Sequence, residues 1–429
     1  MKLGYLHIGS PEHGVCRYGR LLATEARGLS TLSVIEAEVE LTLDHRQNRA
    51  EIIKAARHLS SVDIVHLQYS IKNNKGLWGL GWTQLTHLRL FRQYCAQPLV
   101  VTLHDVYDLP PNPSKIPGYV SRILHRCSPN LLAKGTPNKS LSQAEKLSLA
   151  NLLDSIRQYR WLVQGEILRI PGDISLYWLL RQVKLVFVSS EEERRRLSQG
   201  DIGSTTVIPH FVEQRSPTLS KKEAQQALNL HGFQVITLLG FIHERKGHQL
   251  LLKALSQLPE QVIVVFAGGA SPGNEHFLKD LLALAKTDGV EHRLRITDYL
   301  SEVNLERYLM ATDLAICPFQ SFAASGSLST WISVGRSLLA FNLPQIAEYN
   351  RIEPDSIKTF QPYTPEALAS EIKHLLSAGI KAEDIAVDRL KQRLLLPVTF
   401  NQHLVRYQQV VTALNKTIVR PTHGIKPSY

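Results

Sequence analysis

Two short stretches in the second half of the chain combine residue types suited to binding phosphate. In the first, Leu238-Leu239-Gly240-Phe241-Ile242-His243-Glu244-Arg245-Lys246-Gly247, an apolar strand over Val235 to Leu239 runs into a glycine turn that leads to Lys246 and then to a helix. Further along, the strand Leu314-Ala315-Ile316-Cys317-Pro318 is followed by Ser325-Gly326-Ser327-Leu328-Ser329-Thr330, small residues that open another helix. Free backbone N–H groups and the positive end of the helix dipole make such a start an anion site. A lysine beside a helix start is electrostatically disfavoured until an anion arrives. Either turn alone also reads as a tight strand-to-helix connection; two in one α/β half point to a diphosphate ligand.

The elements that would carry these turns follow a parallel α/β pattern. In the first half, short apolar runs at Leu3 to Ile8, Ile64 to Leu67, Leu99 to Leu103, Leu185 to Val188 and Thr206 to Ile208 alternate with helical stretches. After Pro209 a polar stretch from Glu213 to Lys222 intervenes. A second series then starts, with Val235 to Leu239, Val262 to Ala267, Leu294 to Thr297, Leu314 to Cys317 and Leu338 to Phe341. The expected fold is α/β, with two Rossmann-like doubly wound lobes facing a central cleft and ligands at the carboxyl ends of the strands. The lobes are placed at 1–212 and 213–398, with the boundary falling within 210–232. A helix and tail over 399–429 are expected to cross back to the first lobe.

The segment 110–180 interrupts the alternation. It holds Pro110, Pro111, Pro113 and Pro117 and an expected helix from Ser142 to Gly165. Arg157, Tyr159, Arg160, Trp161, Arg169, Tyr177, Trp178 and Arg181 mix cations with amphipathic aromatics, the composition of a surface on an anionic membrane, though equally that of a solvated helix packed on the first lobe.

At 429 residues, 44% of them hydrophobic, the chain suits two or three globular domains. Its net charge of +11 implies an anionic partner. No RNP-like aromatic motif, zinc finger or recognition-helix signature accompanies the charge, so no nucleic-acid partner is expected. The longest apolar runs are too short to span a bilayer, and the start Met1-Lys2-Leu3-Gly4-Tyr5 lacks signal-peptide features, which makes a cytoplasmic protein the expectation, with peripheral contact at the inner membrane face through 157–181 as an extension of it. Cys16, Cys95, Cys127 and Cys317 are scattered and read as reduced thiols. Neither His-rich spacing nor an Asp-x-Asp stands beside the phosphate turns, so no metal is expected; His210, His243, His248 and His292 read as packing or surface residues.

Several segments, in order, resemble the retaining GT-B glycosyltransferases of family 4, the glycosyltransferase group 1 type. They are His13-Gly14-Val15, Val62 to Gln68, Val101-Thr102-Leu103-His104-Asp105, Val186 to Ser190, Val207-Ile208-Pro209-His210, Gly240 to Gly247, Ala267-Gly268-Gly269, Thr297 to Leu300 and Ala311 to Pro318. The resemblance implies transfer of a sugar from a nucleotide-diphosphate sugar, with retention and without a metal, to a sugar, lipid-linked or small-molecule acceptor. It implies Gly14, Gly240, Gly268 and Gly269 against the donor, and Ser325, Gly326, Ser327, Leu328 and Thr330 around its phosphates and ribose. Glu348 and His104 are implied at the donor sugar, and Lys246 at the departing phosphate. Many members carry an arginine where Phe241 stands, and Arg245 is a candidate substitute. Many also carry a Glu-x7-Glu pair, whose positions here are Phe322 and Thr330. These departures motivate an alternative, a catalytically impaired glycosyltransferase-like binding or scaffolding subunit. A third reading keeps the fold but changes the reaction, to condensation on a non-sugar acceptor or phosphorolysis.

Overall fold

The computed structural model describes residues 1–9, 14–70, 78–79, 82–106, 172–198, 204–271, 273–320, 325–379 and 381–418. The chain divides into two compact units: Met1–Val188 with Arg194–Thr206 and Arg406–Tyr429, and Ser189–Glu193 with Val207–Val405.

The sheet of the first unit is six-stranded and parallel, in the order β2-β1-β3-β4-β5-β6. Its strands are β1 Lys2–Ile8, β2 Ser33–Val39, β3 Ile64–Ser70, β4 Leu99–His104, β5 Val183–Val188 and β6 Thr205–Val207. Both faces of β3 and β4 are covered, since every residue of the two strands is buried. The second unit repeats the plan with β7 Gln234–Leu239, β8 Val262–Ala267, β9 Leu294–Ile296, β10 Leu314–Cys317, β11 Leu338–Phe341 and β12 Lys358–Phe360, in the order β12-β11-β10-β7-β8-β9. Along β7 and β8 the side chains alternate between two cores. Ile236, Leu238, Val264 and Phe266 join Leu251, Leu255 and Ile372 of the flanking helices. Val235, Val265 and Ala267 join Ala311 on the other face. Strands buried on both sides read as continuous apolar runs, which is why the sequence located them.

Two edge strands escaped that reading. β2 alternates Glu36 and Glu38 with Ile35, Ala37 and Val39, and β12 is three residues long. Val207–Val212 groups with the second unit, where Val212 is buried and exchanges backbone hydrogen bonds with Leu394 and Leu396. The C-terminal helix runs over Leu396–Ile418, and its membership changes from the second unit to the first between Val405 and Arg406.

The expected helix at Ser142 to Gly165, together with Arg157, Tyr159, Arg160, Trp161 and Arg169, lies outside the described residues, as does the tail beyond 418. Residues 172–182 are helical. Within that helix Tyr177 is buried, Trp178 half-buried and Arg181 exposed. Among the described residues no helix is long and apolar enough to cross a membrane.

Candidate functional site

At the carboxyl end of β7 the chain turns at Gly240, which has φ +109°. Lys246 closes a short 3-10 turn, Glu244–Lys246, and Gly247 in the left-handed conformation starts the helix His248–Leu255. The Lys246 side chain folds back over the turn. Its ammonium donates to the Leu239 carbonyl at 3.3 Å and to Ser327 Oγ at 3.2 Å, and lies 5.5 Å from the centre of the Phe319 ring. Gly240 makes this possible, because the ammonium occupies the space that a β-carbon at position 240 would fill. Gly268 is needed for a similar reason: a β-carbon there would stand 2.5 Å from the Gly240 carbonyl oxygen. The amides of Gly240 and Ile242 donate to the carbonyls of Ala267 and Gly269, which laces the two strand exits together. Burial lowers the Lys246 ammonium to about 8 from its usual 10.5 and raises the nearby Cys317 thiol to about 12.

The second turn opens the helix Gly326–Ser333. Ser325 is its cap, with Oγ accepting from the Leu328 amide at 3.2 Å and its carbonyl accepting from Ser329. The amides of Gly326 and Ser327 stand in the first turn, where an α-helix supplies no acceptor. They therefore point from the helix start beside the Lys246–Ser327 hydrogen bond. Lys246, Gly240, Gly268, Ser325, Gly326 and Ser327 form one anion-receptive corner from sequence positions far apart.

Other candidates are placed differently. The Leu328 amide is taken by the cap and its side chain is buried in the core, so it offers a ligand nothing. Thr330 is half-buried, and its hydroxyl donates to the Gly326 carbonyl at 2.8 Å, leaving oxygen lone pairs alone for a ligand. Its expected companion Phe322 lies outside the described residues. Glu348 sits midway along the helix Pro344–Ile352, and its two oxygens accept from the amides of Glu191 at 2.8 Å and Glu192 at 3.2 Å. It therefore caps the start of the helix Glu191–Ser198. Arg245 is exposed, and its amide donates to His243 Nδ1 at 3.2 Å, the cap of the 3-10 turn. Gly269 packs beside Asp298 and Tyr299. His248 is fully buried, edge-on to Phe266, as a packing histidine.

In the first unit Gly14 begins the helix Gly14–Arg27, and Tyr18 of that helix meets the His104 ring edge-on at 5.1 Å. His104 ends β4, is buried, and hydrogen-bonds through Nε2 to Gln68 Oε1 at 2.9 Å. Gln68 was not singled out in the sequence as a site residue; its signal was a polar side chain in a strand buried throughout. Among the described residues no three His, Cys, Asp or Glu side chains are grouped to hold a metal.

Residues 233–378, the body of the second unit, match the family model described as glycosyl transferases group 1. A search of curated proteins finds no match. Among solved structures the chain is similar to HepE of Anabaena in complex with UDP-glucose, with a TM-score of 0.61 at 17% identity over 97% of this chain and 100% of that one. It is also similar to sucrose-phosphate synthase of Thermosynechococcus elongatus, with a TM-score of 0.61 at 16% identity over 96% and 100%. A glycosyltransferase of Rickettsia africae gives a TM-score of 0.63 at 15% identity over 96% and 98%. At such identities the likeness is one of fold: two doubly wound α/β units of the GT-B type, the second carrying the group 1 match.

Proposed function

We propose that the protein transfers a sugar from a nucleotide-diphosphate sugar to an acceptor, with the diphosphate seated on the corner formed by Lys246 and the start of the Gly326–Ser333 helix. One observation carries this reading: the Lys246 ammonium spans two separate strand-to-helix turns, donating to Ser327 on the second. A half-buried cation beside a helix start with two first-turn amides forms a preorganised anion receptor. In sugar transfer such a receptor does most when charge develops on the departing phosphate, and removing one preorganised donor costs about 3 kcal/mol, roughly a hundredfold in rate. The group 1 match and the UDP-glucose complex of the structurally similar HepE favour a nucleotide sugar over a free diphosphate. Retention and metal independence belong to the same proposal and come from the family resemblance; a cytoplasmic setting is proposed with them from the shortness of the apolar runs. The acceptor is left to the first unit, where His104 is assigned to the donor sugar.

Purified protein incubated with UDP-, GDP-, ADP-, CDP- and dTDP-sugars tests the reading by thermal shift and nucleotide release. Stabilisation by one class, abolished in Lys246→Met, is expected; no response to any of them refutes it. The impaired-subunit alternative draws on Thr330, whose single hydroxyl is already engaged as a donor. It predicts binding without transfer to any plausible sugar, lipid-linked or small-molecule acceptor.

A further inference from the structure

β3 and β4 carry a polar face where a buried parallel sheet is ordinarily apolar. His66, Gln68 and Ser70 alternate along β3, and the register sets Gln68 beside Thr102 and Ser70 beside His104 on β4. His66, Gln68, Thr102 and His104 are all buried. Helix Gly14–Arg27 approaches this face at Gly19, where a β-carbon would stand 2.9 Å from Gln68 Cγ. Polar groups so enclosed must satisfy one another.

They do so as a chain. His104 Nε2 lies 2.9 Å from Gln68 Oε1. The other end of the same amide, Gln68 Nε2, lies 3.3 Å from His66 Nε2, which Thr102 Oγ1 also meets at 2.8 Å. His66 Nδ1 lies 2.7 Å from the hydroxyl of Tyr407, a fully buried residue of the C-terminal helix. A neutral imidazole has one N–H and one lone pair, and an amide has a donor end and an acceptor end. With the carbonyl facing His104, that ring must carry its proton on Nε2. The amide NH2 then requires a lone pair on His66 Nε2, so His66 carries its proton on Nδ1 and donates it to Tyr407. Turning the amide over would reverse every member of the chain together.

We propose that Gln68 is a positioning residue for His104, holding it as the Nε2–H tautomer while holding His66 as Nδ1–H, with Tyr407 closing the chain from the C-terminal helix. A neutral His104 held this way carries its lone pair on Nδ1. The kinetic consequence rests on the proposed function above, in which His104 faces the donor sugar; the proton positions do not.

Two-bond ¹H–¹⁵N spectra of protein labelled at histidine nitrogen test the assignment directly, with His66→Asn and His104→Asn used to identify the two signals. Opposite tautomers are expected at His66 and His104. In Gln68→Leu both preferences collapse toward mixtures, and in Tyr407→Phe the His66 preference weakens first. The isosteric Gln68→Glu, which also serves if the leucine variant does not fold, moves the His104 titration to higher pH because a carboxylate favours the imidazolium. The same tautomer at both rings, the reversed pair with Nδ1–H at His104 and Nε2–H at His66, or a His104 signal unaltered in Gln68→Leu and Gln68→Glu, overturns the proposal. In steady-state transfer, Gln68→Leu lowers kcat/KM about tenfold, the factor for one lost hydrogen bond. Nε2–H at His104 and Nδ1–H at His66 without that kinetic loss would uphold the proton assignment and remove His104 from the donor site.

Discussion

The pH dependence of donor binding follows from the state of Lys246. In the free protein burial places its ammonium near 8 rather than 10.5. A bound diphosphate supplies the missing counter-charge and restores the cation, so above pH 8 binding must take up a proton. Affinity then falls about twofold from pH 7 to 8 and approaches a tenfold loss per unit above that. At pH 9.5, about 1.5 units beyond the free value, it is about thirtyfold weaker than at pH 7, with close to one proton taken up. A nucleotide sugar is the suitable probe, since its two phosphates are fully ionised throughout the range. The neighbouring His248, held near 3 by burial, stays neutral across it. Isothermal titration in buffers of different ionisation enthalpy gives both quantities. In Lys246→Arg the slope disappears because the charge is permanent, and in Lys246→Met the affinity falls about a hundredfold at pH 7. An affinity flat to pH 9.5 with no proton uptake would refute this account of the site, as would wild-type binding by Lys246→Met.

The same lysine has the opposite effect on folding. A depressed ammonium destabilises the folded chain at every pH below 8, and the penalty fades as pH rises from about 8 towards 10.5. Ligand-free Lys246→Met therefore melts above wild type at pH 7, with the gap narrowing by pH 10, in scanning calorimetry. Gly240→Ala displaces the ammonium and is expected to lose donor affinity about as severely as Lys246→Met, roughly a hundredfold by titration. Gly268→Ala, whose new β-carbon would clash with the Gly240 carbonyl, lowers stability by about 2 kcal/mol and weakens binding with it, read as a fall in Tm. Glu348→Ala removes both acceptors at the start of the Glu191–Ser198 helix and costs about 1 kcal/mol. Its donor affinity stays within a factor of about three of wild type; a larger loss, beyond what a single spent cap accounts for, would return Glu348 to the sugar site.

Much of the architecture is written in local pattern. Runs such as Val262 to Ala267 can only be strands covered on both sides, and their spacing implies two doubly wound sheets. Glycine next to an apolar strand end, followed by Lys246, was enough to propose an anion site, because backbone sterics at Gly240 and the helix dipole act within a few residues. The partners of each side chain were another matter. Ser327 completes the lysine's coordination from 81 residues away, and Glu348 meets Glu191 from 157 away. His66 finds Tyr407 across 341 residues. Periodicity reports which face of an element is buried and says nothing about what lies opposite; register and packing decide that. Gln68 and His66 show the difference: in sequence they are polar interruptions of a strand, and only the parallel pairing of β3 with β4 and the return of the C-terminal helix turn them into a chain of hydrogen bonds ending at His104.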